Sequence, residues 1–459
     1  MEQPKAPPQD AAPRRKNLLL VSFDDAVAPW RYKTAFGTPL RVPNLDKLCT
    51  GATAFKATYA QAPICGPSRA SAMTTTWPHE TGVLDNSLNI FERVGTERFW
   101  ISRIKAAGYY TSSGGKIHHS PTLARPYHRA LYSDARKAFS VDLRLPREIR
   151  KGSLSFGGHR DGRATRDGEH EDFYFDRQSA DSAIDFLQSY EGEAPFFREL
   201  GLFSPHAPHI TPARFKEMYD VEAFRRPADW AGYLAETEYI RRHIPENEAF
   251  RDEDHWRKSV RNYFSAYSHG DYHLGRVLGA LARSAHARNT LIVVFADHGF
   301  HLGNRNLFRK TTLWEQSLNV PLIIFDPDNP TPREITDPVA LISLGPTILD
   351  LLGIEMSPEE QALSLRPMLY GARAPERVVP SFYKRSITIR KGRHRIIRYA
   401  DGSFQLFDVE EDPWQLRDLG AGDAAFGPMR AALEAWAAQN GYTFSEPGSD
   451  DGADEPEHG

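Results

Sequence analysis

The sequence predicts an α/β protein with a large, mostly parallel central sheet flanked by helices, plus a smaller C-terminal antiparallel sheet with a helix. Two observations carry that prediction. Continuous apolar runs of strand length, at 17–23 and 290–296, each end in acidic residues, and segments with helical spacing separate them. Such runs are the mark of strands buried on both faces of a parallel sheet. From about residue 378 the texture changes to short apolar runs joined by Lys391-Gly392 and Asp401-Gly402, which reads as an antiparallel meander.

Taken in order, residues 1–16 are rich in proline and charge, lack periodicity, and read as a flexible leader. The run 17–23 is the first strand and delivers Asp24-Asp25. Helical spacing appears at 98–107 and 178–189, and further buried strands are expected at 196–202 and 321–325. The run 290–296 delivers Asp297-His298-Gly299. Short strands follow at 386–390, 394–399 and 404–408, then a helix at 424–438 and an acidic tail at 448–459. The expected division is a leader at 1–16, a catalytic domain at 17–377, a smaller α+β subdomain at 378–443 and a flexible tail at 444–459.

Composition excludes several function classes. The 459 residues carry 57 Lys+Arg against 60 Asp+Glu, a net charge of -3, so electrostatic capture of nucleic acid is not expected. No run approaches the ~18 apolar residues of a membrane span, so no membrane partner is expected. The leader lacks the apolar core of a secretory signal, and the expected location is cytoplasmic. Two cysteines do not make a disulfide scaffold. Oligomeric state is not legible in the sequence.

In open α/β sheets the ligand crevice lies beyond the carboxyl ends of the strands, where Asp24, Asp25 and Asp297 would converge. Converging carboxylates repel unless a cation sits among them, and oxygen ligands suit a hard ion such as Ca²⁺ or Mg²⁺. His298 would add a nitrogen. Read alone, each acidic pair is a turn or cap; their pairing weakens that reading. Cys65 precedes Gly66-Pro67-Ser68-Arg69 at the start of an expected helix, where the dipole lowers a thiol's pKa. Cys49, within an amphipathic stretch, reads as a small buried hydrophobe.

The Cys-x-Pro-Ser-Arg pattern at 65–69, followed by Ala70-Ser71 and lying about forty residues after Asp24-Asp25, resembles the signature of type I sulfatases of the alkaline phosphatase superfamily. Pro43-Asn44-Leu45-Asp46, His79-Glu80-Thr81-Gly82-Val83, Val320-Pro321-Leu322-Ile323 and the segment 406–419 resemble further family motifs, so the resemblance runs from residue 17 to about 442. The iduronate 2-sulfatase branch is nearest in look. The resemblance implies an alkaline-phosphatase-like sandwich and a hydrolase of sulfuric esters. It implies a divalent metal, Ca²⁺ foremost with Mg²⁺ or Mn²⁺ as alternatives, held by Asp24, Asp25, Cys65, Asp297 and His298. Cys65 would be oxidised to formylglycine by a formylglycine-generating enzyme, which Pro67 and Arg69 would help recruit.

The same resemblance implies catalytic roles for Arg69, Lys116, His206 and Lys310, and for one of His118 and His119, with the iduronate 2-sulfatase spacing favouring His119. The expected substrate is a sulfated sugar or small organic sulfate. The closest alternative is a phosphonate monoester or phosphodiester hydrolase of the same superfamily, and the next an inactive binding protein on the same fold. Residues 302–310 depart from the family's usual text before the lysine, which leaves the substrate undefined. The charged segments 147–166 and 220–254, with His159, Arg160 and Arg163, read as solvated loops at a pocket rim.

Overall fold

The computed structural model describes residues 15–119, 124–134, 146–230 and 237–445. Most of the expected leader and all of the acidic tail lie outside these residues, as does part of the 220–254 rim segment.

The strands in chain order are β1 (Asn17–Asp24), β2 (Thr53–Tyr59), β3 (Tyr110–Ser112), β4 (Ala164–Thr165), β5 (Phe196–Pro205), β6 (Thr211–Pro212), β7 (Thr290–Ala296), β8 (Asn319–Phe325), β9 (Arg333–Ile335), β10 (Val339–Ala340), β11 (Val379–Tyr383), β12 (Ser386–Lys391), β13 (His394–Arg398) and β14 (Phe404–Asp408). The main sheet has the order β10-β2-β8-β7-β1-β5-β3, with β9 beside β2. Pairing is parallel throughout except for β8, which runs antiparallel to both β2 and β7. Central strands β1 and β7 are buried along their whole length, as their unbroken apolar runs require.

The helix Glu253–Arg283 packs across this sheet and buries nineteen of its residues, Trp256, Tyr263, Phe264 and Tyr267 among them. Its apolar positions recur at helical spacing, and Asp252 caps its start by accepting from the His255 N–H at 2.7 Å. A second sheet, β11-β12-β13-β14, is wholly antiparallel and packs against the helix Phe426–Gln439 through Met429, Leu433 and Trp436.

Seven strands were not anticipated: β2, β3, β4, β6, β9, β10 and β11. β2 mixes Thr, Ala and Lys, and β11 contains Pro380, so neither shows an apolar run or clean alternation. Both are built by pairing: β2 sits between β8 and β10, and β11 docks through Phe382 N–H on the Gln61 carbonyl at 2.8 Å. β5 runs three residues further than expected, to Pro205, because the ladder with β1 resumes at Asp24 after an irregularity. That extension carries the chain to His206.

Candidate active site

The site forms where β1 and β7 end side by side, with Phe23 opposite Ala296. Parallel pairing in matched register delivers Asp24 and Asp25 from one strand next to Asp297 and His298 from the other. Asp25 takes a left-handed backbone, φ 59°, which is strained for a residue with a Cβ. Tyr263 of the long helix holds that turn: its hydroxyl donates to the Asp25 carbonyl at 2.6 Å and accepts from the Val27 N–H at 3.0 Å.

Cys65 opens the helix Cys65–Thr74 and is buried. Its Sγ lies 3.2 Å from His298 Nε2, 3.1 Å from Lys310 Nζ and 3.9 Å from Asp25 Oδ1. The next residue is a glycine for a local reason: a Cβ there would stand 3.0 Å from Asn86 Oδ1 and 3.2 Å from the Asp85 carbonyl oxygen. In its absence the Gly66 N–H donates to Asn86 Oδ1 at 2.8 Å.

Arg69, one turn along, has every arm of its guanidinium engaged. Nε donates to Asp297 Oδ2 at 2.9 Å and Nη2 to Asp24 Oδ1 at 3.2 Å, while Nη1 reaches Ser22 Oγ and the carbonyls of Lys116 and Ile117 at 3.0, 2.9 and 2.7 Å. It therefore ties both strand ends to the 116–117 segment rather than reaching toward a ligand. Lys116 makes an ion pair with Asp24, and its ammonium lies 5.3 Å from the centroid of Phe203. Lys310 Nζ donates to Asp25 Oδ1 at 3.1 Å and lies 3.4 Å from His206 Nε2. The His206 ring packs at a tilt of 38° against Phe203 with centroids 4.7 Å apart.

The two adjacent histidines part company. His118 is buried between Phe91 and Phe99, and its Nε2 bonds the Tyr132 hydroxyl at 2.8 Å, which in turn donates to Glu199 Oε2 at 2.8 Å. His119 lines a cleft with Asn86, Asn89 and Phe91, and its ring feels the charges of Cys65, Lys116, Asp24 and Arg69. Burial, reinforced by Lys116 and Arg69, holds the His119 imidazole down to about 4, so it is unprotonated at neutral pH.

Four of the five expected metal ligands converge: one donor atom each from Asp24, Asp25, Cys65 and His298 lies within 4.8 Å of the others, all buried. Asp297 is not one of these four, although its Oδ2 lies 3.8 Å from His298 Nε2. Its Oδ1 accepts from the N–H groups of Asp25 and His298 at 3.1 and 2.9 Å, and its Oδ2 accepts from Arg69. The donor set suits a cation. His298 Nδ1 lies 3.0 Å from the Gly299 carbonyl, the arrangement that places a proton on Nδ1 and presents Nε2 as a ligand.

Charge is concentrated here. Against the cost of burial, Lys116, His206 and Arg69 hold Asp24 well below the usual carboxylate range. Burial pushes Asp297 up to about 6, with Arg69 opposing. Against burial again, Asp297, Cys65 and Asp25 push His298 up to about 9, and a divalent cation would take the place of that proton. Burial would raise the Cys65 thiol, but Lys310, Lys116 and His298 outweigh it and hold the thiol well below the ordinary cysteine range.

Sequence reasoning missed the supports of this site: Asn86 under Gly66, Tyr263 under Asp25, Phe203 between Lys116 and His206, and the Tyr132–Glu199 pair behind His118. Glu199 left a signal, since Arg198-Glu199 interrupts an otherwise apolar strand; the others are ordinary residues whose role depends on distant partners.

Comparison with known proteins agrees with this geometry. Residues 16–354 match the family model described as Sulfatase, and residues 303–436 match the model described as N-sulphoglucosamine sulphohydrolase, C-terminal. A sulfatase of Formosa agariphila is 28% identical over 94% of this chain and 89% of its own. The choline-sulfatase of Rhizobium meliloti is 28% identical over 86% of this chain and 82% of its own. The mouse iduronate 2-sulfatase is 26% identical over 86% and 75%. Among solved structures, one bound to its substrate D-glucosamine-2-N,6-O-disulfate superposes with a TM-score of 0.70 at 20% identity, covering 96% of this chain and all of that one. The phosphonate monoester hydrolase of Agrobacterium radiobacter superposes with a TM-score of 0.71 at 20% identity, covering 93% and 95%.

Proposed function

The chain belongs to the sulfatase family and is a hydrolase acting on sulfate esters; from that premise we propose that Cys65, converted to formylglycine, is its nucleophile and that the surrounding residues divide the proton and charge work. The observation that carries the reading is the position of Cys65, at a helix start within 3.2 Å of both Lys310 Nζ and His298 Nε2.

Asp24, Asp25, His298 and residue 65 would hold a divalent cation, with Ca²⁺ the expected ion and Asp297 beside them as the fifth expected ligand. When bound, that ion supplies positive charge for sulfuryl oxygens and for the attacking oxygen. A hydrated aldehyde at position 65 offers two hydroxyls. One attacks sulfur in line with the departing alcohol, and Lys116 and Lys310 take the charge that develops on the sulfuryl oxygens. His206, beside Lys310, protonates the leaving oxygen. His119, held neutral, removes the proton of the second hydroxyl so that sulfate is expelled and the aldehyde returns. Arg69 positions rather than reacts, since its donors are all engaged on Asp24, Asp297 and the 116–117 carbonyls.

The test is peptide mass on the segment containing residue 65, from protein co-expressed with a formylglycine-generating enzyme, beside turnover of an aryl sulfate. An aldehyde mass with multiple turnover is expected. Cys65→Ser should give at most one turnover, because a single hydroxyl leaves no group to expel sulfate; repeated turnover by that variant would remove the aldehyde from the mechanism. The phosphonate monoester hydrolase likeness fits one alternative, cleavage of phosphonate monoesters or phosphodiesters at the same centre. Rates on sulfate and phosphonate esters of one alcohol separate the two.

A further inference from the structure

His206 lies in the turn that ends β5, and that turn is pinned on both sides by buried side chains with no part in the mechanism above. Before it, Asp176 of the helix Phe175–Ser189 accepts the N–H groups of Phe203 and Ser204 at 2.6 and 3.1 Å. After it, Lys216 of the helix Ala213–Glu217 donates from Nζ to the His209 carbonyl at 2.6 Å. Asp176 is 3% exposed and Lys216 1%. Among the described residues neither forms an ion pair with a side chain of opposite charge.

Aspartate and lysine are seldom buried unless paired, because each gives up hydration that one or two hydrogen bonds do not replace. Burial, with the charge of Arg261 adding, holds the Lys216 ammonium well below the ordinary lysine range, and burial raises the Asp176 carboxyl against the bonds it accepts. Costs of this kind persist where a fold must hold a functional group in place. Between the two pins stands His206. Its N–H donates to the Phe203 carbonyl at 2.9 Å and its Nδ1 to the Ala207 carbonyl at 2.5 Å, so the ring follows the backbone at 203 and 207. Packing holds it less firmly, since a cleft walled by Phe173, Tyr174 and Phe175 adjoins it. Its Nε2 lies 3.4 Å from Lys310 Nζ and 3.8 Å from Asp25 Oδ2. A shift of about 1 Å would spoil that placement for proton transfer.

We propose that Asp176 and Lys216 are positioning residues for His206, which clamp the two sides of its turn so that Nε2 meets the oxygen leaving the ester. The proposal deepens the functional reading above, because it rests on His206 as the acid. Its rival is that Lys216 steadies the Cys65 centre instead, since the His209 ring lies 5.6 Å from that of Tyr263, which holds the Asp25 carbonyl.

The experiment compares kcat/KM for phenyl sulfate, whose alcohol needs a proton as it leaves, with kcat/KM for 4-nitrophenyl sulfate, whose alcohol departs as the anion. The ratio is measured in the native chain, in His206→Ala, in Asp176→Asn, in Lys216→Met and in the double variant His206→Ala with Lys216→Met. Melting curves confirm that each variant is folded. The ratio should fall roughly 30-fold in Asp176→Asn and in Lys216→Met, as it does in His206→Ala. Lys216→Met should add nothing to the ratio once His206 is alanine. An equal loss on both esters, a ratio unchanged in either single variant, or a further fall in the double variant overturns the proposal. If His206→Ala leaves the ratio unchanged, or nothing turns over, the reading of His206 as the acid loses its support and the positioning claim is judged on the ring itself. The His206 ring signal in histidine-labelled protein, assigned by its loss in His206→Ala, should then shift in Asp176→Asn and in Lys216→Met, and a signal unmoved in both overturns the proposal.

Discussion

Two neighbouring residues with the same side chain do different work here. His118 is fixed through Tyr132 to Glu199 and enclosed by Phe91 and Phe99, whereas His119 lines a cleft and feels the charges of Lys116 and Asp24. His119→Ala should lower kcat by about 10²- to 10⁴-fold with little change in melting temperature. His118→Ala should show the opposite emphasis, a lower melting temperature from the lost hydrogen bond to the Tyr132 hydroxyl and a cavity. Steady-state kinetics beside calorimetry separates the two.

Glu199 yields a prediction in pH. Burial raises its carboxyl from 4.5 to about 8, against hydrogen bonds from Tyr132 and Ser113, so the folded chain keeps a proton that the unfolded chain releases. Its contribution to stability is therefore full below about 4.5, falls as pH rises toward 8, and is flat above. Glu199→Gln should flatten that stretch of the curve and make the variant the more stable protein at pH 9. Urea melts at pH 6 and pH 9 measure it, and an identical slope in the two proteins would place the titration elsewhere.

At the scale of elements, the position of Lys116 depends on two glycines. Gly115 and Gly201 face each other in an isolated parallel bridge, with Gly201 N–H donating to the Gly114 carbonyl at 2.7 Å. A Cβ on Gly115, at φ +81°, would fall 1.9 Å from the Gly201 oxygen, and one on Gly201 would fall 2.2 Å from the Lys116 nitrogen. No side chain fits between them, so the 114–117 segment lies flat on β5 and turns its lysine onto Asp24. Gly201→Ala should push that segment away and lower activity by more than about 100-fold even in preparations that remain folded by circular dichroism.

At the scale of the molecule, the C-terminal sheet is fastened to the catalytic sheet by a buried carboxylate. Glu315 accepts from Arg31 at 2.5 Å and from Arg395 at 2.7 Å, with Arg390 Nε at 3.9 Å and the Tyr59 hydroxyl at 3.3 Å. Arg31 and Tyr59 belong to the first sheet and its connections, Arg390 and Arg395 to the second. Removing the carboxylate would strand guanidinium groups in the interior, a change that costs about 3–5 kcal/mol. Glu315→Ala should lower stability by that order in denaturant melts, while Glu315→Gln, which keeps two acceptor positions near the arginines, should lose less. No described helix is long and apolar enough to cross a membrane.

The chain's own text determined the sheet, the carboxylates at its strand ends and the residues gathered at Cys65, because buried parallel strands are written as unbroken apolar runs and their ends are where ligands meet a sheet. It also carried the family, through motifs spread from residue 17 to about 442. Only the tertiary structure showed that His118 is bonded to Tyr132 while His119 lines an open cleft, that Arg69 is wholly engaged in holding other groups, that Asp297 accepts from N–H donors, and that an aromatic cleft adjoins His206. Each of these depends on partners elsewhere in the sequence: Tyr132 and Glu199, Ser22 and Asp24, Asp25, and Phe173. Local spacing sets the face of a helix or strand on which a side chain lies, but the direction in which it bonds is set by whatever the fold packs against it.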